Sequence, residues 1–547
     1  MKRGLTCFVA GMLYLLVGSV VGGRVCLAQF IDVSASSGIG VHVPEEGHGT
    51  GVAVADYDGD GDLDFFLPQA KFFANRLYRN RGNGGFDDVA AAVGLDSTAS
   101  SRVALWIDYD ADGRLDLLVA NDDVLVSSYL TLYRQKSDGQ FIDVTVEAGL
   151  SIPPTIVIPE THHWGGMCAG DINNDGHIDV YTSQWYGPGH LLLNQGDGTF
   201  TDISDSSGVS FAGWGHQPVM HDFNGDGYLD IYVAIDFEQN QFWINQQDNT
   251  FQNQAGLVGV ANNMNDMGVT LGDYDADGDF DIYITNIYTA PGSPMGHKYN
   301  VLYRNDSIGV VLDFDDQSHE MAVEDGEYGW GTAFMDFDND GDLDLAATNG
   351  WRSGPWVSDP SRFFVSPGAG VPYVDDAPSL QFDDTDWGSA LVPADFDRDG
   401  DLDVLQVCME GPVRLLENVT ENDNNYLLVR VQGEAPNLQA IGSIVRVTVN
   451  GQSQVRRIAA GESYMSQLPP EAHFGLGAAT EVDLLEVEWP DGTTTAIEAV
   501  QANQQVIVNQ VTGMTAPIPA ATAWSLLLLV MAMAIAGTLV YGRRQAA

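Results

Sequence analysis

Short apolar runs recur along the chain between stretches rich in Asp, Asn and Gly, and each run has the length of a β-strand rather than of a helix. GVAVA (51–55) is followed by an acidic turn and then FFLP (65–68), after which come LYRN (77–80) and FDDV (86–89). The same types return in the same order. A strand ending in Asn reappears as LLLN (191–194), FWIN (242–245), LYRN (302–305) and RLLEN (414–418), and the next strand as FIDV from Phe141, FTDI from Phe200 and FDDT from Phe382. The predicted unit is strand, acidic turn, strand, a strand with terminal Asn, and an FxDV strand.

The acidic turn is the most regular part of the unit. It occurs seven times, as DYDGDGDLD, DYDADGRLD, DINNDGHID, DFNGDGYLD, DYDADGDFD, DFDNDGDLD and DFDRDGDLD. One isolated Asp-Gly turn would mean no more than a good hairpin. Seven copies that keep the same four positions, with only Asn173 and Asn224 in place of Asp, point beyond a turn. Side-chain oxygens at positions 1, 3 and 5, a carbonyl near position 7 and a carboxylate at position 9 can converge on one hard cation, and the Gly at position 6 permits the positive φ that wraps the chain around it. Calcium is the expected ion, about seven per chain. The predicted ligands are Asp56, Asp58, Asp60 and Asp64; Asp108, Asp110, Asp112 and Asp116; Asp171, Asn173, Asp175 and Asp179; Asp222, Asn224, Asp226 and Asp230; Asp273, Asp275, Asp277 and Asp281; Asp336, Asp338, Asp340 and Asp344; and Asp395, Asp397, Asp399 and Asp403. An EF-hand fits poorly, because it needs a Glu at the twelfth position and flanking helices.

The turns start 52, 63, 51, 51, 63 and 59 residues apart, the period of a four-stranded propeller blade with variable loops. An FIDV copy at Phe30 precedes the first turn, and none follows the seventh. Residues 30–33 are therefore expected to supply the outer strand of the last blade and close a ring, which removes two exposed sheet edges. A linear solenoid would leave this phase shift unexplained. After Asn418 the period stops, and Leu427, Val429 and Val431, then Ile444, Val445, Val447 and Val449, alternate or cluster as half-buried strands do. A small β-sandwich at the propeller's edge is expected there, with Gly475 and Gly477 as turn residues. The fold class is thus all-β: a seven-bladed β-propeller and a small β-sandwich domain, between an N-terminal signal and a C-terminal transmembrane helix. The expected boundaries are 1–28 for the signal peptide, 29–423 for the propeller, 424–510 for the second β domain, 511–523 for a linker and 524–547 for the membrane or sorting segment.

The ends of the chain and its charge bear on location and partners. A basic start (Lys2, Arg3), an apolar run (5–21) and Ala28 make a signal peptide cleaved before Gln29, so the protein is expected to be exported. A lipoprotein reading through Cys26 is weaker, because Gly23, Arg24 and Val25 make a poor lipobox. Cleavage removes Cys7 and Cys26 and leaves Cys168 and Cys408 in repeats that are not neighbours, which predicts buried thiols rather than a disulfide. The formal charge of −53 becomes −56 in the mature chain, and a surface this negative excludes nucleic acid as a partner. Seven Ca²⁺ offset only fourteen of these charges, and the scarcity of Lys reads as a salt-adapted surface. The apolar stretch 524–541 spans about 27 Å as a helix, close to bilayer thickness, with Arg543 and Arg544 behind it to stay on the cytoplasmic side.

Ligand recognition is expected at the channel mouth opposite the turns, where the residues preceding each inner strand gather. These are His48, Ser101, His163 with Trp164, Trp214 with His216, Asp266 with Met267, Trp330 and Trp387. Aromatic faces flanked by polar groups suit sugar rings or an extended peptide. The Trp-Gly pairs also have a purely architectural reading, each ring packing on the next blade. A transition-metal site from His162, His163, His190 and His216 lacks tight ligand spacing. No GxSxG, HExxH, P-loop or CxxC arrangement is present, so no enzyme is expected. The alternative is a polysaccharide lyase or hydrolase that uses His48 or His216 at the mouth as base.

The repeats over roughly 30–420 resemble FG-GAP (VCBS) propellers such as the heads of integrin α subunits, and this resemblance implies seven blades whose calcium loops join the first two strands. The segments NNYLLVRVQG (424–433), AIGSIVRVTVNG (440–451), AAGESYMSQ (459–467), HFGLG (473–477) and VDLLEVEWPDG (482–492) resemble the ASPIC/UnbV domain, which follows such a propeller in the secreted CRTAC1-like proteins. The tail IPAATAWSLLLLVMAMAIAGTLVYGRR is similar to IPTL-type sorting signals, with Ala520 and Ala521 replacing the usual Thr-Leu. These resemblances imply an extracellular, surface-anchored calcium-binding module that adheres to a carbohydrate or protein partner, with no catalytic residues.

Overall fold

A computed structural model describes residues 29–40, 49–70, 73–122, 128–152, 165–289, 298–514 and 518–519. The expected signal peptide, the helix at 524–547, most of the linker, and the site residues His48, His163 and Trp164 lie outside the described residues. Among the described residues no helix is long and apolar enough to cross a membrane.

Seven antiparallel sheets follow one another along the chain, and their first strands pack side by side from blade 1 to blade 7. Blade 1 is typical: Ala53–Ala55, Asp64–Leu67, Arg76–Asn80 and Phe86–Asp88, in that order from the inside. The FxD strand works as follows. Its Phe is buried, as at Phe86 and Phe141, and its Asp or Asn caps the turn that follows, as where Asp88 accepts from Ala90 N–H at 3.2 Å. One helical turn then ends on a left-handed residue, such as Gly94 with φ 90°.

The ring closes as expected. Phe30–Asp32 pairs with Val413–Asn418, so the last blade is built from both ends of the repeat region. Phe30 is buried against Phe337, Phe363 and Phe382. Asn80 Nδ2 donates to Phe396 O at 2.9 Å and fastens blade 1 to blade 7.

FDDT from Phe382 is not a strand. The outer strand of blade 6 is Val374–Asp375, and Phe382 follows the turn Ala377–Leu380 and the left-handed Gln381. It fills the apolar position that Ile39, Leu95 and Val260 hold after their glycines. With Gln in place of Gly, the C-cap signal that would have separated the two positions is missing from the sequence.

Two further sheets make the second domain: Glu471–Gly477, Asn425–Gln432, Gln504–Asn509 and Gly513–Met514, with Ile518–Pro519 beside Gln504–Asn509, and Gln452–Arg457, Ile444–Val449, Glu481–Glu488 and Thr494–Gln501. Leu427, Val429, Val445, Val447, Phe474, Leu485, Val487 and Trp489 form its core. It does not sit at the propeller's edge. It covers the face carrying the acidic turns and sends residues 459–468 down the central channel, where Gln467, Ala460 and Ser463 bridge to Ala53, Ala169 and Val269 on three inner strands. Alternation in sequence reports that a strand face is buried, not what buries it, which is why the edge placement was the simpler expectation. Cys168 and Cys408 are both buried free thiols.

Candidate metal centres and the channel

Each acidic turn connects the inner strand of a blade to the second strand, so seven of them ring one end of the axis. Within a turn, the backbone does the organising. The N–H of the sixth-position Gly donates to the first Asp, at 3.0 Å for Gly61 to Asp56 and 2.7 Å for Gly227 to Asp222. The seventh N–H donates to the fifth Asp, at 3.0 Å for Asp62 to Asp60. All seven of these glycines have φ between 86° and 103°, and the fourth position is left-handed too, even where it is Ala111 or Arg398.

The ninth Asp begins the second strand and is buried in all seven turns. Its Oδ1 accepts the N–H that ends the third strand in every blade: Asn80 to Asp64 at 2.7 Å, Gln135 to Asp116 at 2.7 Å, Ser366 to Asp344 at 2.8 Å and Asn418 to Asp403 at 2.9 Å show the range of donors. The terminal Asn of the third strand therefore has a role that sequence reasoning missed. Its side chain also reaches the preceding blade, as Asn194 to Tyr109 O at 2.9 Å, Asn245 to Ile172 O at 2.8 Å and Asn418 to Phe337 O at 2.7 Å. Its recurrence in phase with the acidic turns was the available signal.

The carboxylates fit a hard dication. Ligand atoms of Asp56, Asp58 and Asp64 lie within 4.8 Å of one another, and so do those of Asp108, Asp110 and Asp116, of Asp273, Asp275 and Asp281, and of Asp336, Asp338 and Asp344. Asp56 Oδ1, Asp110 Oδ1, Asp116 Oδ2, Asp275 Oδ1 and Asp336 Oδ1 are buried with no hydrogen-bond partner, which is costly unless a cation takes those lone pairs. Burial pushes Asp64 and Asp116 up to about 8, with neighbouring carboxylates adding to the rise. The donor set is oxygen only, without thiolate or imidazole.

Asp277 and Asp279 are both exposed, but Asp277, at the fifth position of the fifth turn, accepts the Asp279 N–H at 3.0 Å, while Asp279 holds the seventh position, where a backbone carbonyl is the expected ligand. Asp277→Ala should therefore destabilise the protein far more than Asp279→Ala in thermal unfolding with calcium present. Equal losses would count against the ligand assignment.

The second domain lies directly on these turns. Arg430 Nη2 donates to Asp56 Oδ2 at 3.0 Å, Gly475 N–H to Asp336 Oδ2 at 3.0 Å and Asp108 N–H to Gln439 Oε1 at 2.8 Å. Gly475 is a strand residue, not the turn residue expected, and a Cβ there would fall 2.1 Å from Asp336 Oδ2.

At the other end of the channel, His216 and Trp330 do converge, but over Tyr464, at ring separations of 5.7 and 5.2 Å. His216 is fully buried, and desolvation pulls its imidazole down to about 3. Trp330 Nε1 donates to Gly350 O at 2.9 Å. Trp214 and Trp387 are half-buried at the surface, Trp214 edge-on to Phe237 and Trp387 bonded to Val357 O at 3.2 Å. Ser101, Asp266 and Met267 are buried. Tyr328 and Trp351 stack on Trp330, and Trp356 meets Tyr328 edge-on. Trp351 and Trp356 follow the second strand of blade 6, outside the inner-strand starts, and Tyr328 stands directly before the inner strand Gly329–Met335, where the blade-by-blade reading took only Trp330.

Comparison with known proteins agrees with this architecture. Residues 433–514 match the ASPIC and UnbV family, and residues 74–119, 108–182, 171–233 and 222–284 match the FG-GAP-like repeat. The chain is an FG-GAP repeat protein with an ASPIC/UnbV domain. It is similar to cartilage acidic protein 1 of Mus musculus and of Homo sapiens, each 25% identical over 439 residues that make up 77% of this chain. This FG-GAP chain spans 57% and 55% of the length of those two relatives. Among solved structures, a lectin of Burkholderia pseudomallei aligns with 69% of this chain and 100% of its own at 12% identity and a TM-score of 0.39. A rhamnogalacturonan lyase of Bacillus licheniformis aligns with 71% of this chain and 75% of its own at 14% identity and a TM-score of 0.38.

Proposed function

We propose that this FG-GAP and ASPIC/UnbV protein is an exported calcium-binding recognition module, held at the cell surface by its C-terminal segment, whose ions are structural. The observation that carries the calcium reading is the set of buried carboxylate oxygens without hydrogen-bond partners inside the acidic turns. When bound, calcium would neutralise the converging carboxylates and lock each hairpin; Asp56, Asp58, Asp60 and Asp64, and their counterparts in the other blades, would hold it.

Adhesion to a carbohydrate or protein partner is assigned to the end of the ring opposite the turns, where Trp351, Trp356 and Trp387 are half-buried around the sealed channel. Binding of the calcium-loaded chain to glycan and matrix-protein arrays, lost on Trp351→Ala without a change in melting, is the expected result. Retention of all binding by that variant would move the site elsewhere. The non-enzymatic reading rests on His216, which is buried and held neutral under Tyr464 and is therefore a poor base for a substrate outside.

The ion-free state has a pH signature. Asp64, Asp116 and Asp336 have folded values of about 8 against an unfolded value of 3.8, so their contribution to stability is present below about pH 4 and is lost as pH rises through 8. The chelated protein should melt lower at pH 8 than at pH 5, and the calcium-loaded protein should not. Calcium binding at pH 7 should release protons, which calorimetry in buffers of different ionisation enthalpy would count.

A further inference from the structure

The second domain is not centred on the ring of turns. It hydrogen-bonds to the first, second, sixth and seventh turns, as through Arg430, Gln439, Gly475 and His473. Over the third and fifth it only leans, with Pro436 against Gly176 and Arg446 near Gly278. Among the described residues, no hydrogen bond or ion pair joins it to the fourth turn, and a Cβ on Gly225 or Gly227 would meet nothing. A cleft of about 670 Å³ opens there, between the fourth turn and the strands Ile444–Val449 and Gln452–Arg457.

Three features set this cleft apart. The third and fourth turns, which both line it, are the two whose third position is Asn (Asn173, Asn224), so an ion there meets three carboxylates rather than four. Arg446 and Arg457 lie diagonally on one sheet face and both reach the cleft. The Arg457 side chain is only 6% exposed; it pairs with Glu462 and donates to Met220 O at 3.2 Å, while its Nε is buried without a partner. Apolar wall comes from Phe280, Ile444 and Pro490, and His221, packed edge-on against Phe223 and Phe280, also borders the cleft.

We propose that this cleft binds a small acidic saccharide, with its carboxylate on Arg446 and Arg457 and its hydroxyl groups toward the ion of the fourth turn. The volume lies in the range of small-molecule sites, and the roof formed by the second domain excludes a folded protein surface. Guanidinium groups suit a carboxylate, and apolar patches beside them suit the CH faces of a sugar ring. Asp279, Glu488 and Asp491 also border the cleft, so binding depends on the ion and the two arginines together. The inference rests on the calcium reading above.

Calorimetric titration of the full chain, with bound calcium counted first, tests both separately. A galacturonic acid disaccharide should bind the calcium-loaded chain and not the chelated one, while the neutral galactose disaccharide and a tri-aspartate peptide should not bind. Arg446→Gln should weaken binding about tenfold or more, as expected for a lost charge-assisted contact. Asn224→Asp, which adds a fourth carboxylate, should weaken it too while holding calcium more firmly. Equal binding of the neutral sugar or the acidic peptide, or indifference to both variants at unchanged melting temperature, overturns the proposal. A full calcium count with no binding of the disaccharide overturns the cleft site alone, and no bound calcium overturns both.

Discussion

Chelation should lower the melting temperature of this protein more than any single substitution, and restoring calcium should reverse the loss with about seven ions bound per chain. The reason is the local charge density. Asp179, Asp230, Asp281, Asp344 and Asp403 are almost wholly buried, and each is pushed well above the ordinary carboxylate range by desolvation, with nearby carboxylates adding to it. Backbone N–H donors offset part of that cost but leave oxygens such as Asp275 Oδ1 unpaired. At a hundredfold excess over Kd, one ion contributes about 2.7 kcal/mol, and extracellular modules bind with Kd of order 10⁻⁴ to 10⁻³ M. Seven such sites together exceed the roughly 5–15 kcal/mol that holds an ordinary domain. Scanning calorimetry with and without chelator decides it. An unchanged transition with no bound ion would reduce the acidic segments to turns.

The second large effect should come from Tyr464→Ala. This side chain enters from the ASPIC/UnbV domain, is fully buried at the far end of the propeller's channel, and touches both His216 and Trp330. Truncating a buried aromatic costs about 3–5 kcal/mol, and here the cavity would open in the segment that joins the two domains. Melting should separate into two transitions, and limited proteolysis should cut between the domains, near 419–424. Tyr464→Phe should keep a single transition, since the ring still fills the channel. A Tyr464→Ala protein that melts as the parent does would show that the plug follows the docking of the domain rather than holding it.

Correct and incorrect expectations divide along physical lines. The acidic turns were legible because all their ligand positions fall within nine residues and the glycine requirement is local, so Asp56–Asp64 and Asp395–Asp403 carry their own geometry. Ring closure through Phe30 was legible as a phase shift in a periodic pattern. The misplaced strand at Phe382 arose where Gln381 takes the left-handed position that glycine marks in other blades.

By itself, then, the amino-acid sequence determined the seven blades, the turn that joins the first two strands of each and the strand that completes the last, since each depends on contacts close in sequence or on strict repetition. Tertiary structure alone decided that Tyr464 fills the channel beneath His216, that Arg430 and Gly475 settle on Asp56 and Asp336, and that Arg446 and Arg457 line the cleft beside the fourth turn. Those contacts join segments hundreds of residues apart, and an apolar or charged position in a strand carries no mark of the distant surface it will meet.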